Sequence, residues 1–338
     1  MMVTSKKKVI LTVILALVGS LWVMSFNFSD KPERLTYGVS FSKFHADELK
    51  LDWKETYLAL LNDLGVRHFR FSIHWPLTEP ENDKFNFSEL DFQMDMARDK
   101  NADVILAVGR RVPGWPECHE PSWALNLGKE EKQKEILEHI EKVVQRYKKY
   151  PNLIYWQVEN EPFLTFFSRS ACGELDKNFL DMEIALVREL DPAHKIIITD
   201  SGEFGTWFGA YKRGDAFGTS MYLYIWNRRL GPLRYPVTPA FFRIKHNLTR
   251  LFFGPKPAMV IELETEPWLL QPIVDTPLDI QLARMGPDKF ENMIKFSAKT
   301  GFDTFYLWGA EWWHWLDKQG HPEHWQRAKK LFVTPDSL

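Results

Sequence analysis

The sequence has little of several things, and each shortage excludes something. It holds two cysteines in 338 residues, too few for a disulfide-stapled scaffold or a four-cysteine zinc site. Neither charge is in surplus: 43 Lys and Arg against 45 Asp and Glu leave a net charge of -2. That balance argues against a globally basic nucleic-acid binder. No internal repeat, low-complexity linker, G-x-G-x-x-G or phosphate loop is present. Long apolar runs are also scarce, with one near the N-terminus and nothing comparable downstream. Aromatic residues, by contrast, are abundant: 14 Trp and 25 Phe. Indole is large, rigid and half polar, so such an excess fits a binding cleft as well as a core. The length suits one core of about 250–300 residues plus a short appendage. A composition 45% hydrophobic and 26% charged excludes wholesale disorder.

The appendage is expected at residues 1–30. Lys6, Lys7 and Lys8 precede an uncharged, mostly apolar run over 9–26, and Asp30 is the next charge. A basic flank before such a run reads as a signal anchor or a cleaved signal peptide. Either way the lysines stay inside and residues 31–338 are exported, as a membrane-anchored or a secreted domain.

Downstream, short apolar runs alternate with amphipathic stretches. Strands are expected at 35–39, 66–73, 103–108, 153–158, 195–199, 216–222, 258–263 and 304–307. Helical periodicity lies between them, over 51–64, 88–100, 130–150, 174–190 and 288–299. In 130–150, Ile136, Leu137, Ile140, Val143, Val144 and Tyr147 form one stripe, and Pro151 stops the helix. Eight strands joined mostly by helices imply right-handed parallel crossovers, whose natural closure is a single (β/α)8 TIM barrel. In a barrel the chemistry sits at the carboxyl ends of the strands.

Two of those ends carry carboxylates. Strand 4 runs into Tyr155-Trp156-Gln157-Val158-Glu159-Asn160-Glu161-Pro162, and strand 7 into Val260-Ile261-Glu262-Leu263-Glu264-Thr265-Glu266-Pro267-Trp268. Glycosidic cleavage needs one protonated carboxyl for the leaving oxygen and one ionised carboxylate for the anomeric carbon. Glu262 shares its strand parity with Glu264 and Glu266, so all three can point the same way. Glu159 is a weaker candidate beside Glu161.

The Asn160-Glu161-Pro162 triplet closing an apolar strand resembles the acid/base motif of the clan A retaining glycoside hydrolases, (β/α)8 enzymes that include cellulases, mannanases and β-galactosidases. The resemblance runs in strand order over roughly 35–325. It implies Glu161 as acid/base, Glu262 as nucleophile and Asn160 on the sugar 2-hydroxyl. Arg70, in His68-Phe69-Arg70-Phe71-Ser72-Ile73-His74-Trp75-Pro76, matches the arginine that holds the nucleophile. Trp308 matches a platform under the sugar, and Tyr222 or Tyr224 the hydroxyl that orients the nucleophile. Glu266 and Trp268 are expected as substrate contacts, and His74 either binds a sugar hydroxyl or closes the strand 2 loop. Such catalysis needs no metal or organic cofactor.

Other features bear on the substrate. Trp75, Trp115, Trp123, Trp207, Trp226, Trp268, Trp312 and Trp313 all fall at or beyond expected strand ends, where indoles suit the C–H faces of a carbohydrate. Cys118 and Cys172 lie in neighbouring loops and either bridge in an exported protein or stay free. His314, His321 and His324 with Asp317 lack zinc spacing and are expected on a solvated loop. Residues 212–256 carry nine basic side chains against Asp215 alone. Their 238–253 stretch reads as an outer barrel helix with a solvated basic face of Arg243, Lys245 and Arg250; contact with an anionic membrane or glycan is the alternative.

The expected activity is retaining hydrolysis of β-glycosidic bonds in an oligo- or polysaccharide. Transglycosylation with the same residues, or a catalytically inactive glycan-binding barrel, are the alternatives. A metal-dependent barrel hydrolase is disfavoured by the lack of clustered His and Asp at the strand ends.

Overall fold

The computed structural model describes residues 35–332, together with 18–26 and residues 10, 12 and 15. Eight parallel strands close into a barrel: β1 (Thr36–Phe41), β2 (His68–Ser72), β3 (Asp103–Val108), β4 (Leu153–Val158), β5 (Lys195–Asp200), β6 (Ala216–Met221), β7 (Ala258–Glu264) and β8 (Thr304–Trp308). Each strand pairs with its neighbours in sequence, and β1 closes on β8 with Ser40 opposite Trp308. This is the expected architecture, because barrel strands are apolar on both faces and read as continuous runs.

The core has two layers. Ile105, Ile197, Ala216, Met259, Ile261 and Tyr306 fill the barrel interior. A larger shell lies between strands and helices, and helix Lys129–Tyr147 buries Ile136, Ile140, Val143, Val144 and Tyr147 against it. Helix Lys177–Leu190 starts where Asp176 accepts the Asn178 and Phe179 N–H groups, and it ends before Asp191-Pro192.

One irregularity positions the site. On β7, Val260 and Glu262 sit opposite the consecutive Thr219 and Ser220 of β6, and Val260 and Leu263 sit opposite Phe305 and Leu307 of β8. β7 therefore carries one residue more than either neighbour, a bulge at Ile261 and Glu262. Met259 and Ile261 face the barrel interior, whereas Val260 and Leu263 join the outer shell. Glu262 is thereby turned inward directly after inward-facing Ile261, which simple strand alternation does not allow.

Several expectations are corrected. His314 and His324 are not on a solvated loop but buried, on helices Ala310–Lys318 and Glu323–Phe332. His314 meets Thr56 Oγ1 at 3.0 Å and His324 meets the Met285 carbonyl at 2.9 Å. No group of three metal-binding side chains occurs among the described residues. Helix Pro239–Phe253 does not expose all its cations: the Lys245 ammonium bonds to the Gly202 carbonyl and lies 4.3 Å from the Trp207 ring centre. Burial lowers its pKa to about 8. Part of the 9–26 run and the expected boundary at residue 30 lie outside the described residues. Among the described residues, no helix is long and apolar enough to cross a membrane.

Candidate active site

At the carboxyl ends of the strands, Arg70 is the hub. It is fully buried on β2, and each of its nitrogens has a partner. Nη1 donates to Glu262 Oε1 at 2.7 Å, Nη2 to Asn160 Oδ1 at 2.7 Å, and Nε to Gln157 Oε1 at 2.8 Å. The planar guanidinium thus ties β2, β4 and β7 together. Nη1 also approaches the Ile261 carbonyl at 3.3 Å, which accepts from Ser40 Oγ at 3.0 Å. The carbonyl at the β7 bulge is in this way satisfied from β1 and β2 instead of being left unpaired.

Glu262 is fixed from a second side. The Tyr222 hydroxyl donates to its Oε2 at 3.1 Å. Burial, and then the charge of Glu262, push the Tyr222 phenol well above its usual pKa, so it remains a donor. Asn160 is also oriented. Its Oδ1 accepts from Arg70 and from Gln157 Nε2 at 3.1 Å, which turns the amide nitrogen away from both.

Glu161 has the opposite environment. Its backbone N–H donates to Thr199 Oγ1 at 2.8 Å, its φ is +42°, and one carboxyl oxygen is buried without a hydrogen-bond partner. Burial, the charge of Glu262 and the charge of Glu117 raise its pKa well above the ordinary carboxylate range. A buried carboxyl with a raised pKa beside one held by an arginine is the arrangement needed for one acid and one nucleophile.

The remaining acids at these strand ends separate by their partners. Glu159 accepts the backbone N–H groups of Arg110 at 2.7 Å and Arg111 at 3.0 Å, so it holds the β3 loop. Gly109 permits this, since a Cβ there would lie 2.3 Å from Glu159 Oε1. Glu264 is fully buried and accepts the N–H groups of Leu223 at 2.7 Å and Tyr224 at 2.8 Å. It thereby pins the start of a two-stranded hairpin, Tyr224–Asn227 and Gly231–Arg234. Glu266 accepts from Trp308 Nε1 at 2.6 Å and meets His45 Nε2 at 2.9 Å. Burial opposes a charge on His45, but Glu266 and Glu48 outweigh it and hold the imidazole well above its usual pKa.

The other expected contacts divide. His74 is buried with Nε2 unpartnered, and burial holds it well below its usual pKa as a neutral ring. Its Nε2 and the edge of Trp308 approach the same point beside Gly114, at 3.9 and 4.0 Å from where a Cβ would stand. Trp268 lies edge-on to Tyr222 at 5.4 Å. Tyr224 is not brought to the carboxylates; it lies on the hairpin with the Lys289 ammonium 5.1 Å from its ring. Cys118 and Cys172 are bonded, joining the β3 loop to helix Thr165–Cys172 after β4.

The tryptophans correct the expected row of eight at the mouth. Trp75, Trp207, Trp312 and Trp313 are fully buried and belong to the core. Trp123 donates to the Glu79 carbonyl, and Trp226 stacks under Arg284 at 4.4 Å. Trp115 and Trp268 remain open, with 65% and 36% of their surface exposed.

Sequence reasoning missed Gln157, His45, Arg111 and Glu117. Arg111 Nε donates to Glu117 Oε2 at 2.7 Å, and burial raises the Glu117 pKa against that pairing. His45 sits just past the end of β1, so the strand-end rule applied to that strand would have found it.

Comparisons with known proteins agree with this geometry. The model of the family described as Glycosyl hydrolase family 10 matches residues 56–208, less than half of the chain. The match spans Arg70, His74, Asn160 and Glu161 and stops short of Glu262. The β-galactosidase LacZ of Heyndrickxia coagulans is 26% identical over 168 residues, covering 44% of this chain and 24% of that protein. In fold, the chain is similar to a β-galactosidase of the haloarchaeon Halorubrum lacusprofundi (TM-score 0.55, 16% identity, 81% of this chain and 52% of that one). It is also similar to a GH5_18 protein of Bifidobacterium longum subsp. longum (0.58, 14%, 82% and 70%). A third is xylanase 10B of Thermotoga petrophila (0.52, 16%, 81% and 82%). The chain thus spans a quarter of the curated relative and about half of the haloarchaeal enzyme. The resemblance to clan A glycoside hydrolases stands, without singling out one family.

Proposed function

We propose that this chain is a retaining glycoside hydrolase cleaving β-glycosidic bonds, with Glu161 as acid/base and Glu262 as nucleophile. The observation that carries the reading is the Arg70 hub, which holds Glu262 and Asn160 on one guanidinium while Glu161 is left buried beside them with its pKa raised.

In the first step Glu161 gives its proton to the glycosidic oxygen, and Glu262 attacks the anomeric carbon as the C–O bond to the leaving group breaks. The leaving group departs as an alcohol and a glycosyl ester forms on Glu262. In the second step Glu161, now a carboxylate, takes a proton from water. The resulting oxygen bonds the anomeric carbon and frees Glu262. The amide nitrogen of Asn160, turned away from Arg70, donates to the 2-hydroxyl. Neutral His74 and the Trp308 face receive the same sugar, and Trp268 and Trp115 extend the apolar contact outward. Export, either anchored or secreted, belongs to the same proposal, since the Cys118–Cys172 bond suits an oxidising compartment.

The test is a panel of β-linked galactosides, xylosides and mannosides, including xylobiose and Manβ1-4GlcNAc, the sugars bound in two of the similar structures. Proton NMR of the first-formed product should show the β-anomer. An α-anomer formed first would overturn the mechanism, and binding without cleavage would favour a glycan-binding barrel.

The pH profile offers a second check. The charge of Glu117 is one cause of the raised Glu161 pKa, so Glu117→Gln lowers that pKa. The alkaline limb of kcat/KM is expected to move to lower pH, because Glu161 loses its proton earlier. A limb that stays in place while activity persists would separate Glu117 from the acid.

A further inference from the structure

The catalytic reading leaves one surface unused. Among the basic residues of 212–256, Lys256 bonds to the Tyr211 and Gly214 carbonyls and lies 4.6 Å from the Tyr211 ring centre. Apolar side chains crowd the same place. Phe208 lies 5.4 Å from both Phe252 and Phe253, and Phe253 lies 6.1 Å from Tyr211. Leu251 and Phe252 are 67% and 65% exposed, and Phe208 and Phe253 are also exposed. This is a contiguous cluster, unlike the single exposed apolar residues any surface carries. The charge of Arg250 acts on the Tyr211 hydroxyl, and Lys212 is exposed beside it. Two acids lie nearby: Asp215 pairs with Arg188 at 3.0 Å and also acts on Lys256, and Asp181 pairs with Arg213 at 2.6 Å and also acts on Lys212.

The position of the cluster is informative. Tyr211 donates to the carbonyl of Gly254, which ends helix Pro239–Phe253 just before β7 begins. The cluster therefore lies at the amino ends of the strands, opposite the mouth that holds Glu161 and Glu262. Helix Pro239–Phe253 also holds the end of the apolar N-terminal run. Asn247 Nδ2 donates to the Met24 carbonyl at 2.8 Å and to that of Phe26 at 2.9 Å, and Arg243 donates to Ser25. Leu21, Trp22 and Val23 just before this contact are exposed. One helix thus bears exposed apolar side chains at its end and holds, farther along, the end of a second exposed apolar group.

We propose that Phe208, Leu251, Phe252 and Phe253, with Lys212 and Arg250 beside them, dock on an anionic lipid bilayer and turn the catalytic mouth away from it. Aromatic and aliphatic side chains ringed by cations fit the boundary between headgroups and acyl chains. Each cation near an anionic leaflet strengthens binding about five-fold. An acidic polysaccharide would engage the cations but leave the phenylalanine cluster in water, which is why lipid is the favoured occupant. The apolar N-terminal run supplies a second attachment, and burying more apolar surface strengthens such binding.

The experiment labels the full-length chain with an environment-sensitive dye at Phe252→Cys and, in parallel, at Leu251→Cys. Because Cys118 and Cys172 are bonded to each other, the new thiol is the reactive one. A control carries the dye at Leu125→Cys, exposed on the loop after β3 at the mouth. Vesicles of equal parts phosphatidylcholine and phosphatidylglycerol should blue-shift the dyes at 251 and 252, and lipid-borne quenchers should reach them. The dye at 125 should stay in water. Lys212→Gln with Arg250→Gln should weaken partition into these vesicles about 25-fold, with a smaller effect on phosphatidylcholine alone. Vesicle binding that leaves the dyes at 251 and 252 in water would overturn the proposal by assigning attachment to the N-terminal run alone. A response to soluble polygalacturonate and none to vesicles would overturn it in favour of an acidic glycan.

Discussion

Glu262→Ala is expected to lose on the order of 10^4-fold or more in kcat on every β-glycoside the enzyme cuts, the scale on which removal of a covalent nucleophile acts. Glu161→Gln behaves differently. It should lose about 10^2–10^4-fold on substrates whose leaving group needs a proton, the usual contribution of general acid catalysis. On aryl glycosides with acidic leaving groups its first step should survive, and the glycosyl ester on Glu262 should accumulate. Mass spectrometry of the intact protein would show that ester, and a burst of released phenol would precede a slow steady state. Added azide should restore turnover of Glu161→Gln and give a β-glycosyl azide, because a small anion needs no general base. The roles would be wrong if Glu262→Ala instead gave the burst, or if Glu266→Ala were the dead variant.

A second large effect is expected at Arg70. Its guanidinium is buried and serves Glu262, Asn160 and Gln157 together. Arg70→Met leaves the Glu262 carboxylate without its cation and the Gln157 amide oxygen without a donor, and it takes from the Asn160 oxygen one of its donors. Removing one partner of a buried pair costs about 3–5 kcal/mol, more than the pair contributes when intact. Denaturant unfolding should show that loss, and Arg70→Met with Glu262→Gln should recover part of it, since the uncompensated charge is gone. A single variant within about 1 kcal/mol of wild type would mean that the hub is not what holds these strand ends.

Much of this was legible in the sequence, for a physical reason. Parallel barrel strands are buried on both faces, so all eight appear as apolar runs, and β3 and β4 fall at their expected limits. Motif residues closing such runs land at one end of the barrel by topology alone, which is why Arg70, Asn160, Glu161 and Glu262 come together. The β7 bulge was not legible, because an extra residue is a property of pairing with β6 and β8 and leaves no mark on one strand. It is also why parity could not sort Glu262 from Glu264 and Glu266, whereas hydrogen-bond partners do. The tryptophans misled for another reason. Indole volume fills the outer shell as readily as a cleft, and only the fold shows that Trp207 and Trp312 lie inside while Trp115 lies outside. Lys245 deceived similarly, since its long stem carries the ammonium inward to the Gly202 carbonyl.

The Arg70 hub makes the active site the joint property of two half-barrels. The proposed acid Glu161, Asn160 and Arg70 all come from β1 to β4 and the loops that follow them; the proposed nucleophile Glu262 and Tyr222 come from β5 to β8. Each half alone contains an unmet partner: the first a buried cation with no carboxylate, the second a carboxylate and a bulge carbonyl with no cation. Those deficits cancel only once the last strand has zipped against the first, Ser40 beside Trp308, and the ring is shut. In this chain the arrangement at Arg70 is complete only when the ring is.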